Sequence, residues 1–449
     1  MTSPAPPPLL ADHWQRLHPL SPLVRFGRLF VAVVVIAVPS LGTVQRGHRE
    51  QLFTLLLWAA LLILGAAAGV IAWLVTRWRI DGADLQIETG LIRRQSIRIP
   101  LARVQAVDVV APLLARLLGL AEVRVVSAGR GSEHGRLAYV TAAEAPVLRA
   151  QLLALAHGLS RETPQPPGIA LFHLDNAQLA YGLLLRAPTL APLSLAILAV
   201  VLTVIVPPAG ITLASTTFTI VAAGVISSAR AYNDDFDLLV SEAGDGLRLD
   251  RGLLQRRHET IPYGRIQALR LVEPLLWRPF GWARLEVDIA RQGEPRREGR
   301  ESQQIARTLV PVAPRVVVVG LLQRVMPDAV VTPPRGSRPP RRAVTRAPFA
   351  YHLLAAWHDQ RYICARSGRV RAETVIVPLD KMQSIRLATG PLLRALRLAS
   401  VHVDTAGHRW QASALCRDAG EADRLVWSLA GLAGHARRRR SQLSPLPIA

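Results

Sequence analysis

Two short stretches set metal-binding side-chain types at strand spacing. His173-Leu-Asp175 and His402-Val-Asp404 each put an imidazole and a carboxylate on one face of an extended segment. A zinc centre takes three or four such ligands, and neither pair has a further one close by, so no metal site is expected. No Ser-His-Asp arrangement, phosphate-cradling glycine loop or HExxH helix occurs. The chain is therefore expected to be non-enzymatic and without a cofactor. What remains is the chemistry of arginine and of three glutamines. Arg77, Arg79, Arg93, Arg94, Arg230, Arg256 and Arg257 would sit near the inner leaflet if the modules hang from their hairpins. There each could contact anionic lipid, worth roughly 1 kcal/mol per basic residue. The plainer reading of the same residues is topogenic charge in a generally basic chain. Almost no lysine is present, which argues against an inositol-phosphate pocket.

The glutamines belong to a motif that occurs three times. The first copy runs Gly90, Pro100, Gln105, Pro112-Leu-Leu; the second Gly252, Pro262, Gln267, Pro274-Leu-Leu; the third Gly368, Pro378, Gln383, Pro391-Leu-Leu. Glycine to first proline is ten residues each time, and that proline to the glutamine is five. The glutamine to the second proline is seven, seven and eight, the last with an extra residue, Thr389 or Gly390. Such fixed offsets mark three copies of one module. The residue types are structural: a glycine for chain reversal, a proline to open a short helical turn, and amides that usually bond to backbone.

The elements that carry the motif read as β-rich. Leu85-Gln-Ile87, Ile97-Arg-Ile99 and Gln105-Ala-Val107-Asp-Val109 alternate, as do Gln267 to Leu271 and Gln383 to Leu387. Val123/Val125, Leu285/Val287/Ile289 and Val401/Val403 follow as further strands, and helical spacing closes each module over 143–159, 314–326 and 419–435.

Half the residues are hydrophobic, aromatics are 5%, and the formal charge is +22. Strong basicity suits nucleic acid or an anionic membrane, and four uncharged apolar runs (29–44, 52–75, 187–206 and 209–229) decide for the membrane. Nucleic-acid binding is not expected. The first run becomes long enough if it extends back to Leu23 with Arg25 and Arg28 reaching the headgroups. Gly65 and Gly69 give the second a face for close helix packing. Arginines flank the outer ends of both hairpins, which places the termini and all modules in the cytoplasm.

The expected order is an N-terminal cytoplasmic segment (1–22), transmembrane hairpin (23–75), module (77–159), linker (160–180), second hairpin (181–230), module (231–327), Pro/Arg linker (328–347), module (348–435) and basic tail (436–449). The opening is read as retained rather than as a cleaved signal. The Pro/Arg linker and the arginine tail are expected to be disordered or extended, and 291–304 to be a solvated hairpin loop. Cys364 and Cys416 are read as ordinary thiols, with a disulfide between them left open by spacing.

The Gly…Ile-Pro…Gln…Pro-Leu-Leu pattern beside paired apolar runs resembles the bacterial PH-like domain family of the second type (bPH2). Over 14–435 the chain resembles that family's large multi-copy membrane members, the YdbT-like type. The resemblance implies an α+β protein: three PH-like β-barrel modules, each with a C-terminal helix, plus two transmembrane α-helical hairpins in the bacterial inner membrane. It brings no catalytic residues to carry over. The third copy departs in lacking a hairpin directly before it. The expected function is a scaffold or regulator in envelope homeostasis, whose modules bind another membrane protein, one another, or anionic lipid. The alternative is a small-solute or lipid transporter or channel component. Its spans would normally carry ionisable groups, which these runs lack.

Overall fold

In the computed structural model, residues 14–24, 26–27, 29–30, 33, 48–81, 84–90, 95–127, 135–156, 168–205, 207–244, 246–290, 307–407 and 410–443 are described. The chain opens on β1 (Gln15–Arg16) and the long helix α1 (His48–Val75). The first module follows as β2 (Arg77–Asp81), β3 (Asp84–Thr89), β4 (Gln95–Pro100), β5 (Val104–Ala111), α2 (Leu113–Leu117), β6 (Leu120–Ser127), β7 (Gly135–Thr141) and α3 (Glu144–Ala156). Next come β8 (Ile169–His173), α4 (Asn176–Leu184), α5 (Ala187–Ile205) and α6 (Pro207–Asp235). The second module is β9 (Leu239–Ala243), β10 (Gly246–Arg251), β11 (Arg256–Ile261), β12 (Ile266–Pro274), β13 (Trp282–Ile289), β14 (Arg307–Pro314) and α7 (Arg315–Val325). The third is β15 (Ala355–His358), β16 (Tyr362–Ser367), β17 (Arg371–Pro378), β18 (Met382–Ala388), α8 (Pro391–Ala395), β19 (Leu398–Thr405), β20 (Ala412–Asp418) and α9 (Ala419–Leu443). Each module is thus two groups of three antiparallel strands and a closing helix, the α+β plan expected.

The motif residues sit at its corners. Gly252 and Gly368 turn the chain between second and third strands at φ of 111° and 126°. A Cβ there would stand 2.1 Å from the Gln255 carbonyl oxygen and 1.8 Å from that of Arg371, so only glycine fits. Pro100 and Pro378 end a third strand and Pro262 directly follows one, and each caps a single 3-10 turn. Pro112 and Pro274 cap the next helical turn, whereas Pro391 occupies its first position with Gly390 as the cap. The extra residue before Pro391 is therefore a one-residue slide of proline into the helix. The distance from each glutamine to the following left-handed turn, at Gly119, Gly281 and Arg397, is unchanged.

The first compact unit, residues 1–169 and 243–260, holds a sheet ordered β1-β2-β3-β4 and a second containing β7-β6-β5-β11-β10. Its core gathers Trp78, Ile80, Leu85, Ile87 and Ile99 with Val107, Val123 and, from α3, Leu148 and Leu152. The second unit, residues 170–242 and 261–449, holds β14-β13-β12-β17-β16-β15, the separate β18-β19-β20, and β8 beside β9. In it Leu429 and Ala433 of α9 close over Ile363, Val377, Val403 and Ala412.

Among the described residues one helix, Leu56–Val75 within α1, is by itself long and apolar enough to cross a bilayer, with mean hydropathy 2.3 and 6% of it buried. Leu29 packs directly onto Gly65, as a small-residue face allows. Most of the expected first span, 29–44, lies outside the described residues. Helices α5 and α6 pack along each other, with Thr189 Oγ1 and Ser228 Oγ 2.8 Å apart. The pair Asn176–Leu184 and Thr189–Leu202 passes the same test only as one span bent by 47°. The expected count of four spans thus exceeds what these helices show on their own.

Two stretches expected to be disordered or extended are held by specific contacts or continue a helix. Residues 332–348 are ordered: Ala343 is buried with Leu398 and Cys416, and the Ser337 carbonyl accepts from the Ala356 amide and the Arg417 guanidinium. Proline supplies stiffness there, and Arg342 pairs with Asp418. The arginines 437–440 continue α9, which ends at Leu443; arginine is a good helix former and its charge suits a helix C-terminus. Helix α4, placed by sequence across a linker and a span, is instead capped by Asp175. It lies on β14, with Gly182 against Val312. The segment 291–304 lies outside the described residues.

Candidate functional site

Strand pairing across the repeats is the feature that stands out. In the first unit β11 of the second module adds antiparallel to β5 of the first, setting Ala111 opposite Arg256, Val110 opposite Arg257 and Val109 opposite His258. In the second unit β17 of the third module adds to β12 of the second, from Leu269 opposite Ile376 to Pro274 opposite Arg371. In both, the fourth residue after the motif glutamine faces the fourth before the first proline: Val109 with His258, Leu271 with Thr374. The same joint is made twice in the same register.

Side chains tie each joint. In the first, Asp108 accepts from the Thr260 amide (3.3 Å), Arg149 donates to Thr260 Oγ1 (2.5 Å) and Arg116 to the Leu253 carbonyl (3.2 Å). In the second, Arg270 donates to Glu373 (3.0 Å) and Glu286, and lies 4.3 Å over the Trp410 ring. Lys381 donates to the Gly264 carbonyl (2.7 Å), and Glu273 accepts from Arg315 (2.8 Å) and Arg366 (3.5 Å). Burial pushes the Glu286 carboxyl up, but Arg284 and Arg270 outweigh it and hold the group below the ordinary carboxylate range. Arg270 and Glu373 correspond by motif position to Asp108 and Arg257: the same charges exchanged between strands. In the second joint the opposite charges meet, and a crossed pairing of the strands would set like charges at these positions.

The three glutamines mark a bulge. Pairing of the fourth and fifth strands slips between Val104 and Ala106, between Ile266 and Ala268, and between Met382 and Ser384, skipping Gln105, Gln267 and Gln383 in turn. Gln267 is buried and donates to the Arg265 carbonyl (3.3 Å), a backbone role. Gln383 is exposed.

The basic residues chosen from sequence do not form one site. Arg77 and Arg79 leave α1 directly on β2, both over the Trp14 ring at 4.6 and 4.7 Å, and pair with Glu88 (2.8 Å) and Asp81 (3.0 Å). Arg256 and Arg257 lie on β11 within the first joint. Arg230 is exposed near the end of α6. Arg93 and Arg94 lie outside the described residues. Arg186, at the corner between α4 and α5, donates to the Pro311 carbonyl (3.3 Å).

Sequence reasoning passed over the Pro-Leu-Leu turns as surfaces. Leu113, Leu117, Leu275, Leu276 and Leu392 are exposed, beside Arg116, Arg278 and Arg394. Leu114 lies against Gly27, at the start of the first apolar run. Their recurrence in all copies was the available signal.

The His/Asp pairs have structural duties. His173 meets Asp237 (3.0 Å) and Asp175 caps α4. His402 meets Ser413 (2.8 Å), with burial lowering its pKa, and Asp404 accepts from Arg386 (2.7 Å) and Ser384 (2.7 Å). Cys364 and Cys416 are free and buried, and burial raises both thiols. An open cleft of about 460 Å3 is lined by Arg342, Arg394, Arg397 and Asp418 at the start of α9. Asp418 already fills its helix terminus, accepting from the Gly420 amide (3.1 Å) and pairing with Arg342.

The bacterial PH domain family model matches residues 29–156, 183–316 and 341–431, well over half the chain. A curated relative, the UPF0699 transmembrane protein YdbT of Bacillus subtilis (strain 168), is 22% identical over 368 residues, covering 75% of this chain and 73% of its own.

Proposed function

The chain belongs to the bacterial PH domain family, and on that premise we propose that this membrane protein is a non-enzymatic scaffold of the bacterial inner membrane. Two hairpins, four spans in all, hold it with both termini and all three modules in the cytoplasm. Its partners are another membrane protein or further copies of itself, with anionic lipid beneath, and its setting is envelope homeostasis. The observation that carries this reading is the repeated strand joint: these modules use sheet edges to hold one another, which is assembly chemistry. Trp14, Arg77 and Arg79 at the foot of α1, and the leucine-arginine turns, support contact with anionic headgroups. The uncharged apolar runs favour anchors over a conduit.

Reconstitution of the full chain into phosphatidylglycerol vesicles tests the reading. Solute and ion flux should equal that of protein-free vesicles, and photocrosslinkers on module strands in native membranes should yield defined protein adducts. Flux above the blank, with no adducts, would establish the transporter instead.

A further inference from the structure

Each joint unites the third strand of one module with the fourth strand of the module before it. Two joints among three modules leave one half-joint at each end: β4 of the first module and β18 of the third. Both are edge strands, with no strand beyond them among the described residues. The vacancy is visible in burial. Leu271 and Val109, at the same motif position in the two filled joints, are 1% and 6% exposed, while Leu387 on β18 is 44% exposed. An exposed edge strand with apolar residues and a single charge, Arg386, is a template for pairing that soluble monomers normally block.

We propose that β18 of one copy pairs with β4 of a second copy, extending the internal joint between molecules. The register follows from the motif: Ile385 opposite Arg98 and Leu387 opposite Ser96, as Leu269 faces Ile376 and Leu271 faces Thr374. The slide of Pro391 falls after β18 and leaves this frame intact. Where the internal joints carry Asp108 with Arg257 and Arg270 with Glu373, the third brings Arg386 to Gln95. A neutral amide there accepts from arginine and sets no like charge against it. The joint links different strands of the two copies, so they either run head to tail or close as a two-fold pair that makes the joint twice. The proposal deepens the scaffold reading and rests on it; vesicle flux tests that reading, and the crosslink below tests this one alone.

Two tagged copies of the full chain, one carrying Ser96→Cys and the other Leu387→Cys, are co-expressed in membranes and mildly oxidised; the native cysteines are buried. The mixed disulfide should exceed either like pair, and the offset pair Ile97→Cys with Leu387→Cys, by about tenfold. Leu387→Lys in the otherwise native chain should abolish chemical crosslinking between two tagged copies in membranes, because a charge on the edge opposes pairing. Disulfides between two Leu387→Cys copies, closure within one doubly substituted copy, or no mixed disulfide while Leu387→Cys reacts freely with maleimide would each overturn the proposal. Crosslinking unaffected by Leu387→Lys would do the same.

Discussion

The left-handed backbone positions show how single residues are held by geometry rather than chemistry. Gly368→Ala forces a Cβ toward the Arg371 carbonyl at positive φ, and should cost about 1–3 kcal/mol or more in thermal unfolding of the full chain. Arg397, at φ 53°, holds the corner that Gly119 and Gly281 hold in the other modules. Arg397→Gly should therefore be neutral or stabilising by up to about 1 kcal/mol. Equal losses in both variants would refute the strain account. Glu286 gives a pH signature. Its folded pKa is depressed by Arg284 and Arg270 against the upward push of burial, so its stabilisation is present above the unfolded value, near 4.5, and is lost as pH falls through the folded one. Glu286→Gln should lower the melting temperature at pH 7 and flatten its fall between about pH 5 and 3. A parallel acid profile in both proteins would contradict this.

Between elements, the second joint makes the sharpest demand. A double-mutant cycle of Arg270→Ala and Glu373→Ala should return a coupling of about 1–2 kcal/mol; additivity within about 0.3 kcal/mol would mean that the pair does not clamp β12 to β17. Strands, turns and closing helices were legible in sequence because each depends on local period and on residues such as Gly252 and Pro262. The joints were not, because pairing β5 with β11 is a long-range choice that alternation alone cannot express. A trace existed in the exchanged charges Asp108/Arg257 and Arg270/Glu373. Composition suggested a disordered or extended linker over 328–347, whereas Ala343 and Ser337 within it are buried. It also hid α4, whose apolar residues Leu179 and Leu183 face a module rather than lipid.

At the scale of the whole molecule, the repeat is more than a count of domains. A module cut at its sequence boundaries would lose a sheet neighbour: the third would expose β17, and the first would expose β5. Function read from isolated modules would therefore describe broken sheets, and experiments belong on the full chain. Candidate lipid residues chosen one by one from sequence dispersed over the structure, Arg256 and Arg257 into a joint and Arg77 and Arg79 onto Trp14. The recurring surfaces, strand edges and leucine-arginine turns, were the features common to all copies.

Amide hydrogen exchange on the full chain tests that account most directly. In dilute detergent, amides of β5, β11, β12 and β17 should exchange slowly, while those on the outer edges of β4 and β18 exchange fast, slowing only at membrane densities that bring copies together. Exchange across β12 and β17 as rapid as across β18 and β4, at the same dilution, would contradict the strand joints on which the account stands.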